Sequence, residues 1–252
     1  MGVYYIFNDI LKKDLQISMR VTGAKGGYSG GTYASINNIV SEATKNKEIR
    51  KDLINPYGLN PEGEKNGPDK RDLNSVVFDK KIKKWIAPFL MAGINTKIVR
   101  RSNALSNYMY GKNFRYDEAV MTGNGFMGRI RGFLLSIPLI FLASKPGSIM
   151  KRIFNMLSPK PGQGPSKRER ESGFFNIRFY VFNESNTSLY KVTGDKDPGY
   201  GSTSKMLAES AVCLAKDNLN ETYGVLTPSI AMGNQILKRL ELNAGLEFSK
   251  IK

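Results

Sequence analysis

The sequence predicts an α+β fold with a mixed, largely antiparallel sheet and helices packed on it. Residues 15–22 and 174–182 alternate apolar and polar side chains with the period of a β-strand. Residues 202–216 and 228–240 instead repeat apolar side chains with helical spacing. Strands and helices are mixed along the chain without strict alternation, which favours the α+β class. With 252 residues, the chain is long enough to form one large domain, over residues 1–252, or two small ones.

The other elements follow from the same patterns. Apolar spacing predicts helices over residues 1–13, 33–43 and 82–91, and strands over residues 74–78, 97–101, 116–122, 189–192 and 246–251. Residues 45–72 are charged and rich in Asn, Gly and Pro, which predicts an irregular excursion. Thr227 and Pro228 are typical of the start of a helix, and Gly245 is typical of its end.

Composition excludes several classes of chemistry. Lys and Arg number 38 against 22 Asp and Glu, and the formal net charge of +16 predicts an acidic partner such as an anionic membrane surface or a phosphorylated ligand. No nucleic acid partner is expected, because no ordered basic and aromatic motif is present. The chain has no histidine, so histidine acid–base, triad and zinc chemistry are excluded and no metal is expected. Cys213 is the only cysteine, so no internal disulfide can form.

The most informative stretch is a glycine loop between the first strand and the helix after it. Its members are Gly26, Gly27, Tyr28, Ser29, Gly30, Gly31 and Thr32. Thr32 is the predicted N-cap of the helix. The loop therefore brings backbone N–H groups and the positive end of a helix to one place, which suits an anion or a polar substrate. The alternative is a tight turn that needs glycine torsions only for packing.

A second glycine loop, DPGYGSTSK at residues 197–205, opens a later helix. It resembles a phosphate loop but lacks the Walker spacing, so ordinary turn chemistry with helix capping is the alternative. Its candidate site residues are Tyr200, Gly201, Ser202 and Thr203.

A third motif, GNGFMG at residues 123–128, has the form G-x-G-x-x-G. A dinucleotide site also needs a preceding strand, a following helix and an acidic residue about 20 positions further on. No Asp or Glu occurs within residues 119–168, so that acid is absent, and the flanking strand–helix–strand unit is not expected. No cofactor-binding residue is therefore assigned. An NADP site that uses Lys151 or Arg152 is the minor alternative.

The acid-free window at residues 119–168 carries eight Lys or Arg and encloses the apolar run GFLLSIPLIFLA at residues 132–143. A spanning helix needs about 20 apolar residues, and Pro138 interrupts this run. Basic flanks around an apolar run predict insertion into one leaflet, with cations on lipid phosphates. A buried hairpin and a true span are the alternatives. The candidate membrane contacts are Arg129, Arg131, Phe133, Leu134, Leu135, Ile137, Leu139, Ile140, Phe141, Leu142, Lys145, Lys151 and Arg152.

Four motifs, taken together, resemble one family. They are the strand–GGYSGGT–helix unit at residues 26–32, NPYGLNP at residues 55–61, GYGSTSKMLAESAVCLA at residues 199–215 and GVLTPSIAMG at residues 224–233. In their order and spacing they are similar to the saccharopine dehydrogenase-like oxidoreductases, nearest to the trans-acting enoyl reductases and their eukaryotic relatives. The resemblance covers nearly the whole chain.

The resemblance implies hydride transfer from NAD(P) to an unsaturated lipid or glycolipid precursor. Family members begin with a Rossmann domain that holds NAD(P), and this chain resembles the half that follows it, which binds substrate and dimerises. We therefore expect no cofactor binding by this chain alone, a lipid-like substrate, and a homodimer. Relatives found on lipid droplets and membranes imply a cytosol-facing membrane or lipid-droplet surface, not secretion. A non-catalytic protein of such a surface is the alternative, and no catalytic residue is assigned.

Overall fold

The fold is built on one seven-stranded sheet. The computed structural model describes residues 1–27, 30–142, 148–149, 152–153, 156, 158–160, 162–183 and 186–252. Its strands are β1 (Gln16–Lys25), β2 (Val77–Asp79), β3 (Lys84–Ala87), β4 (Arg115–Gly123), β5 (Phe174–Phe182), β6 (Thr187–Gly194) and β7 (Leu246–Lys250). They lie in the order β2-β3-β4-β1-β5-β6-β7. Only β1 and β4 pair in parallel among these strands, and the other neighbours are antiparallel. The predicted α+β fold with a mixed, largely antiparallel sheet is confirmed.

Eight helices lie on or around this sheet in the described residues. They are α1 (Gly2–Ile10), α2 (Gly30–Lys45), α3 (Lys47–Ile54), α4 (Ala92–Leu105), α5 (Gly125–Leu142), α6 (Lys167–Glu171), α7 (Gly201–Lys216) and α8 (Pro228–Asn243). Helices α4 and α5 lie against β4, and α5 also lies against β3. Helix α8 contacts α1, α4 and β7, and α7 packs on α8.

The hydrophobic core lies between the sheet and helices α1 and α8. Ile17 of β1, Val181 of β5 and Ile236 of α8 are almost completely buried there. Phe7 of α1 stacks on Tyr110, with ring centroids 4.4 Å apart. The alternating side chains of β1 and β5 supply this core, as their period in the sequence predicts.

The polar face of β1 is also buried, which differs from the predicted half-buried strand. Arg20 is 2% exposed and Ser18 is 3% exposed. The guanidinium of Arg20 donates to Asp79 of β2 at 2.8 Å and to Asp117 of β4. The hydroxyl of Ser18 donates to the same Asp117 at 2.6 Å. Because β1 is the central strand, these polar groups bind one another instead of water.

Three predictions are wrong. Residues 45–72, predicted as an irregular excursion, contain helix α3, whose N-cap Asn46 accepts the backbone N–H of Glu48 at 2.8 Å. Residues 82–91, predicted as a helix, contain the strand β3, which pairs with β2 and β4 and ends just before Pro88. Residues 97–101, predicted as a strand, lie inside helix α4. The inward side of α4 is polar, with Thr96, Lys97 and Arg100 all buried. Apolar periodicity therefore could not reveal this helix.

Smaller differences concern helix ends and faces. Helix α2 begins at Gly30, so Thr32 lies inside its first turn and is not the N-cap. Thr227 stands at the N-cap position of α8, but its side chain makes no capping bond. Its hydroxyl lies 2.7 Å from that of Ser102. On α7, Leu207 is 71% exposed, although it belongs to the apolar residues with helical spacing.

Helix α5 contains most of the apolar run and starts earlier than the run does. Among the described residues, it is the one helix long and apolar enough to cross a membrane by length and composition. Pro138 lies inside it without ending it. The alternative of a hairpin therefore does not hold for residues 132–142, which belong to a single helix.

Removing the Arg20 guanidinium would leave the carboxylates of Asp79 and Asp117 without the cation that pairs with both of them. We expect Arg20→Met to lower the free energy of unfolding by about 3 kcal/mol or more in urea titrations. The matched control is Lys191→Met, which breaks the partly exposed pair with Glu247 at 2.9 Å. That control is expected to cost less than about 1 kcal/mol. Equal losses in the two variants would contradict a special role for Arg20.

Candidate functional site

The two glycine loops predicted as site components meet in the structure. Gly26 and Gly27 follow β1 and lie against the turn that precedes α7. A Cβ on Gly26 would stand 2.6 Å from the Cβ of Asp197, and the φ of Gly26 is +147°. A Cβ on Gly199 would overlap the carbonyl oxygen of Gly27. Glycine is required at this junction because the two backbones approach so closely.

A buried carboxylate holds this junction together. Asp197 has no exposed surface. Its side-chain oxygens accept hydrogen bonds from the backbone N–H groups of Gly199 at 2.9 Å, Tyr200 at 2.9 Å and Gly201 at 2.7 Å. The backbone N–H of Asp197 donates to the carbonyl of Arg170 at 3.2 Å. Asp197 thus satisfies the free N–H groups at the start of α7 and fixes that helix to α6.

A pocket of about 620 Å³ opens beside the two loops. It is lined by Pro159, Gly162, Gln163, Gly164, Pro165, Arg170 and Tyr200. The N–H of Gly30 donates to the carbonyl of Gln163 at 2.9 Å, which ties the start of α2 to the pocket wall. A Cβ on Gly164 would overlap the ring of Tyr200, so glycine there lets that ring lie flat against the wall.

Of the residues predicted in the first loop, the structure brings Gly26, Gly27 and Gly30 to this junction. Gly31 and Thr32 lie in the first turn of α2, where Gly31 is exposed and Thr32 is half-buried. Tyr28 and Ser29 lie outside the described residues. None of the described members lines the pocket itself, so this loop supports the wall from behind.

The predicted residues of the second loop have two roles: one lines the pocket, and the others support the turn. Tyr200 lines the pocket. Ser202 is fully buried and donates to the carbonyl of Lys196 at 3.1 Å. Thr203 donates to the carbonyl of Pro198 at 2.7 Å. Gly201 packs on Lys196 and Asp197. Three of the four predicted residues therefore hold the turn that presents Tyr200.

Sequence reasoning missed the other polar lining residues, Gln163 and Arg170. Arg170 donates to the carbonyl of Pro165 at 2.8 Å, which folds the proline-glycine segment over α6. The signal available in the sequence was the run PKPGQGP at residues 159–165, whose turn-forming residues predict a loop. With Tyr200, these side chains give a pocket rich in hydrogen-bond donors, and none of the described lining residues is a carboxylate.

The G-x-G-x-x-G motif does not fit a dinucleotide. Strand β4 does lead into it and helix α5 follows, so two of its flanking elements are present, contrary to the prediction. The next strand, β5, is antiparallel to β1 and therefore does not return parallel to β4. A Cβ on Gly128 would strike the backbone of Gly123 and approach Trp85, so its glycine serves helix packing.

The predicted membrane contacts lie mostly on the outer side of α5. Exposed fractions are 51% for Phe133, 60% for Leu134, 54% for Leu135, 44% for Ile137 and 57% for Ile140. Arg129, Arg131 and Arg152 are also exposed, whereas Leu139 and Phe141 are half-buried. Leu142 is 5% exposed and packs within the protein, so it cannot reach a bilayer in this structure. Lys145 and Lys151 lie outside the described residues.

A separate buried polar cluster lies under α4. Burial raises the pKa of Glu118 to about 8, and the charges of Asp72 and Asp117 act in the same direction. The hydroxyl of Tyr116 donates to Glu118 at 2.9 Å, and the amide of Asn95 donates at 3.1 Å. These two bonds favour the ionised form but are outweighed by the cost of burying its charge.

Next to it, Arg100 connects the irregular segment at residues 55–74 to the sheet. Its guanidinium pairs with Asp69 at 2.7 Å and donates to the carbonyls of Pro56 at 3.1 Å and Tyr116 at 3.0 Å. Arg100 is 3% exposed, so this pair is cut off from water. The cluster therefore acts as internal structure and offers no surface to a ligand.

The pKa of Glu118 makes stability depend on pH. The unfolded chain ionises this carboxyl near pH 4.5, whereas the folded protein keeps it protonated up to about pH 8. The protonated carboxyl contributes its full stabilisation of the folded state below pH 4.5, and this stabilisation is lost as pH rises from there through about pH 8. We expect wild type to lose on the order of 4 kcal/mol relative to Glu118→Gln across this range. Chemical unfolding at several pH values measures this difference. The exposed control Glu221→Gln is expected to follow wild type, and parallel curves for wild type and Glu118→Gln would contradict the assignment.

Comparison with known proteins finds relatives that are named trans-acting enoyl reductases. The chain is 36% identical over 237 residues to a Mycobacterium tuberculosis protein provisionally named a trans-acting enoyl reductase, in a match that takes 87% of this chain and 56% of that protein. It is 32% identical over 228 residues to the trans-acting enoyl reductase of Mycobacterium ulcerans and 31% identical over 224 residues to that of Mycobacterium bovis. Each of these two matches takes 84% of this chain and 54% of the relative.

The chain thus spans about half the length of the curated relatives it matches. No family model matches it, so the broader saccharopine dehydrogenase-like assignment stays a prediction, and no solved structure matches it either.

Proposed function

We propose that this chain is the substrate-binding part of an enoyl reductase that acts on a lipid-like substrate. The observation that carries the proposal is the 36% identity, over 87% of this chain, to a relative named for that activity. In this proposal the nicotinamide cofactor, NADH or NADPH, is held by a nucleotide-binding domain outside the sequence described here. The chain by itself is then inactive.

The pocket beside the two glycine loops is the proposed substrate site. Its volume of about 620 Å³ lies within the range of small-molecule sites. An enoyl ester or thioester presents a carbonyl oxygen that becomes negative as hydride adds to the β-carbon. Hydrogen-bond donors aimed at that oxygen stabilise the developing charge. Tyr200, Gln163 and Arg170 are donors of this kind, and no lining carboxylate opposes the charge.

Within this pocket, we assign the carbonyl contact to the phenol of Tyr200. Its backbone is held by the buried carboxylate of Asp197 at 2.9 Å, and its ring lies against Gly164. The residue is therefore fixed at both its main chain and its ring. A donor that is already oriented loses little freedom when substrate binds, which strengthens its effect on the oxyanion.

The cofactor itself is not assigned to residues of this chain. A reduced nicotinamide supplies the hydride in enoyl reduction. The only G-x-G-x-x-G run lies at residues 123–128 and lacks both the returning parallel strand and the ribose-binding acid. The residues of this chain therefore act on the substrate side alone.

Loss of the Tyr200 hydroxyl tests the substrate site. We expect the chain to bind a long-chain 2-enoyl thioester of pantetheine in calorimetry. Tyr200→Phe should weaken that binding about tenfold, because one hydrogen bond to the carbonyl is lost. The control Tyr223→Phe alters a tyrosine that is 84% exposed, and it should bind like wild type. Absence of binding by wild type, or equal affinities for wild type and Tyr200→Phe, would overturn the assignment.

A parallel titration tests where the cofactor binds. We expect NADPH to show no tight binding to this chain alone and no turnover of the thioester. Tight NADPH binding would contradict the placement of the cofactor outside this chain, whatever the outcome for Tyr200.

Helix α5 favours a second function, attachment to an anionic membrane or lipid-droplet surface. The residues it buries are small or terminal: Gly128, Gly132, Ser136 and Leu142. A Cβ on Gly132 would strike Val76, so this narrow side of the helix fits closely against the protein. Its large apolar side chains consequently point outward. With basic residues and no acid nearby in the sequence, they suit the headgroup boundary of one leaflet.

Paired leucine substitutions test membrane attachment. Leu134→Ser with Leu135→Ser should reduce flotation with phosphatidylserine vesicles at least about tenfold, because two exposed apolar side chains are lost. The control pair, Leu207→Ser with Leu214→Ser on α7, removes leucines that are 71% and 59% exposed and should float like wild type. Equal losses in the two pairs, or no flotation by wild type, would contradict this function.

A further inference from the structure

The opposite end of β1 carries a second, basic pocket that neither proposed function uses. Its volume is about 380 Å³, and it is formed where β1 and β4 begin and β5 ends. The charged side chains in its lining are Lys12, Lys13, Lys81, Arg115 and Asp14. From Gln16 to Lys25, β1 extends roughly 30 Å at ~3.3 Å per residue. The basic pocket is therefore remote from the glycine loops.

The four cations of this pocket have no carboxylate partner in the part of the chain that the structure describes. Lys12 donates to the side-chain amide oxygen of Asn183 at 2.6 Å, and Lys81 donates to that of Gln16 at 2.6 Å. Lys81 also lies 4.6 Å above the ring of Phe182. These contacts are with neutral groups, so they orient the ammonium groups and leave their charge uncompensated.

Asp14, the acidic residue in the described lining, forms hydrogen bonds with backbone groups. Its carboxylate accepts the N–H of Asn113 at 2.7 Å, and its own N–H donates to the carbonyl of Tyr110 at 2.8 Å. Asp14 has a φ of 59°, and Leu11 on the other side of the two lysines has a φ of 53°. The two residues that flank Lys12 and Lys13 therefore both have left-handed backbone conformations. At Leu11 this conformation ends α1, where the N–H of Leu11 donates to the carbonyl of Phe7 at 3.0 Å.

We propose that this pocket binds a small molecule with a diphosphate group. Among the described residues of the lining, four positive side chains against one negative leave three positive charges, which a single carboxylate would not neutralise. A diphosphate carries enough charge and offers many acceptor oxygens to ammonium and guanidinium groups. Arg115 supplies the planar fork that suits phosphate oxygens, and the lysines supply mobile point charges around it.

Calorimetry with inorganic pyrophosphate at constant ionic strength tests this site on the whole chain. Wild type is expected to bind pyrophosphate more tightly than inorganic phosphate. Lys12→Gln with Lys81→Gln should weaken pyrophosphate binding by about tenfold or more, because two charge-assisted bonds are lost. The control pair Lys216→Gln with Lys238→Gln removes the same charge from two exposed lysines and should change the affinity less than about twofold.

A single variant, Lys13→Glu, covers the case in which the double variant fails to fold. The Lys13 side chain makes no hydrogen bond or ion pair among the described residues, so the fold should be unaffected, and pyrophosphate binding should be lost. Equal weakening by the pocket pair and the control pair would overturn the proposal, since it would reflect only the overall charge. Absence of pyrophosphate binding by wild type would overturn it as well.

Competition identifies the source of the diphosphate group. If the group belongs to a lipid headgroup, pyrophosphate should release the chain from vesicles that contain diacylglycerol pyrophosphate, while an equal ionic strength of chloride should not. If it belongs to a soluble molecule, vesicle binding should be unchanged by pyrophosphate while calorimetric binding persists. Both outcomes support the pocket, and neither depends on enoyl reduction.

Discussion

The sheet depends on the ion pairs that Arg20 makes from the middle of β1. Strand β1 is the only one among the described strands that joins the two halves of the sheet, parallel to β4 on one side and antiparallel to β5 on the other. Arg20 reaches Asp117 on β4 and Asp79 on β2. A charge buried in a central strand is tolerated only when it is paired. This one guanidinium therefore fixes how the outer β2–β3 hairpin and the parallel strand β4 sit against β1.

With β1 fixed, its two ends define two chemically different regions. The carboxyl end runs into Gly26 and Gly27, where close backbone contact and the carboxylate of Asp197 support the turn that carries Tyr200. The amino end follows Lys12 and Lys13, where positive charge accumulates. A ligand that meets one end would not affect the electrostatics of the other, because the separation exceeds the screening length at physiological salt. The arrangement allows substrate and anion to be recognised independently.

The sequence predicted the fold class better than it predicted the candidate site. Strands β1 and β5 alternate clearly because one side of each faces an apolar core. Helix α4 was missed because its buried side is polar, with Arg100 and Thr96 bonded to groups distant in sequence. Gln163 and Arg170 were missed because a proline-glycine segment has no period. The pKa of Glu118 arises from burial, which only the tertiary structure reveals.

Helix α5 packs against the rest of the protein mainly through glycine and serine. The residues that hold the helix in place are therefore different from the large apolar residues on its outer surface. In an ordinary amphipathic helix, the large apolar residues that anchor it are also those that specify the core. Here Gly128, Gly132 and Ser136 do the anchoring, so exchanging Leu134 or Phe133 for another apolar residue alters the outer surface without creating a cavity inside. The apolar surface can therefore diverge between related chains at little cost to folding, whereas a single methyl group added at Gly132 cannot be accommodated without displacing Val76.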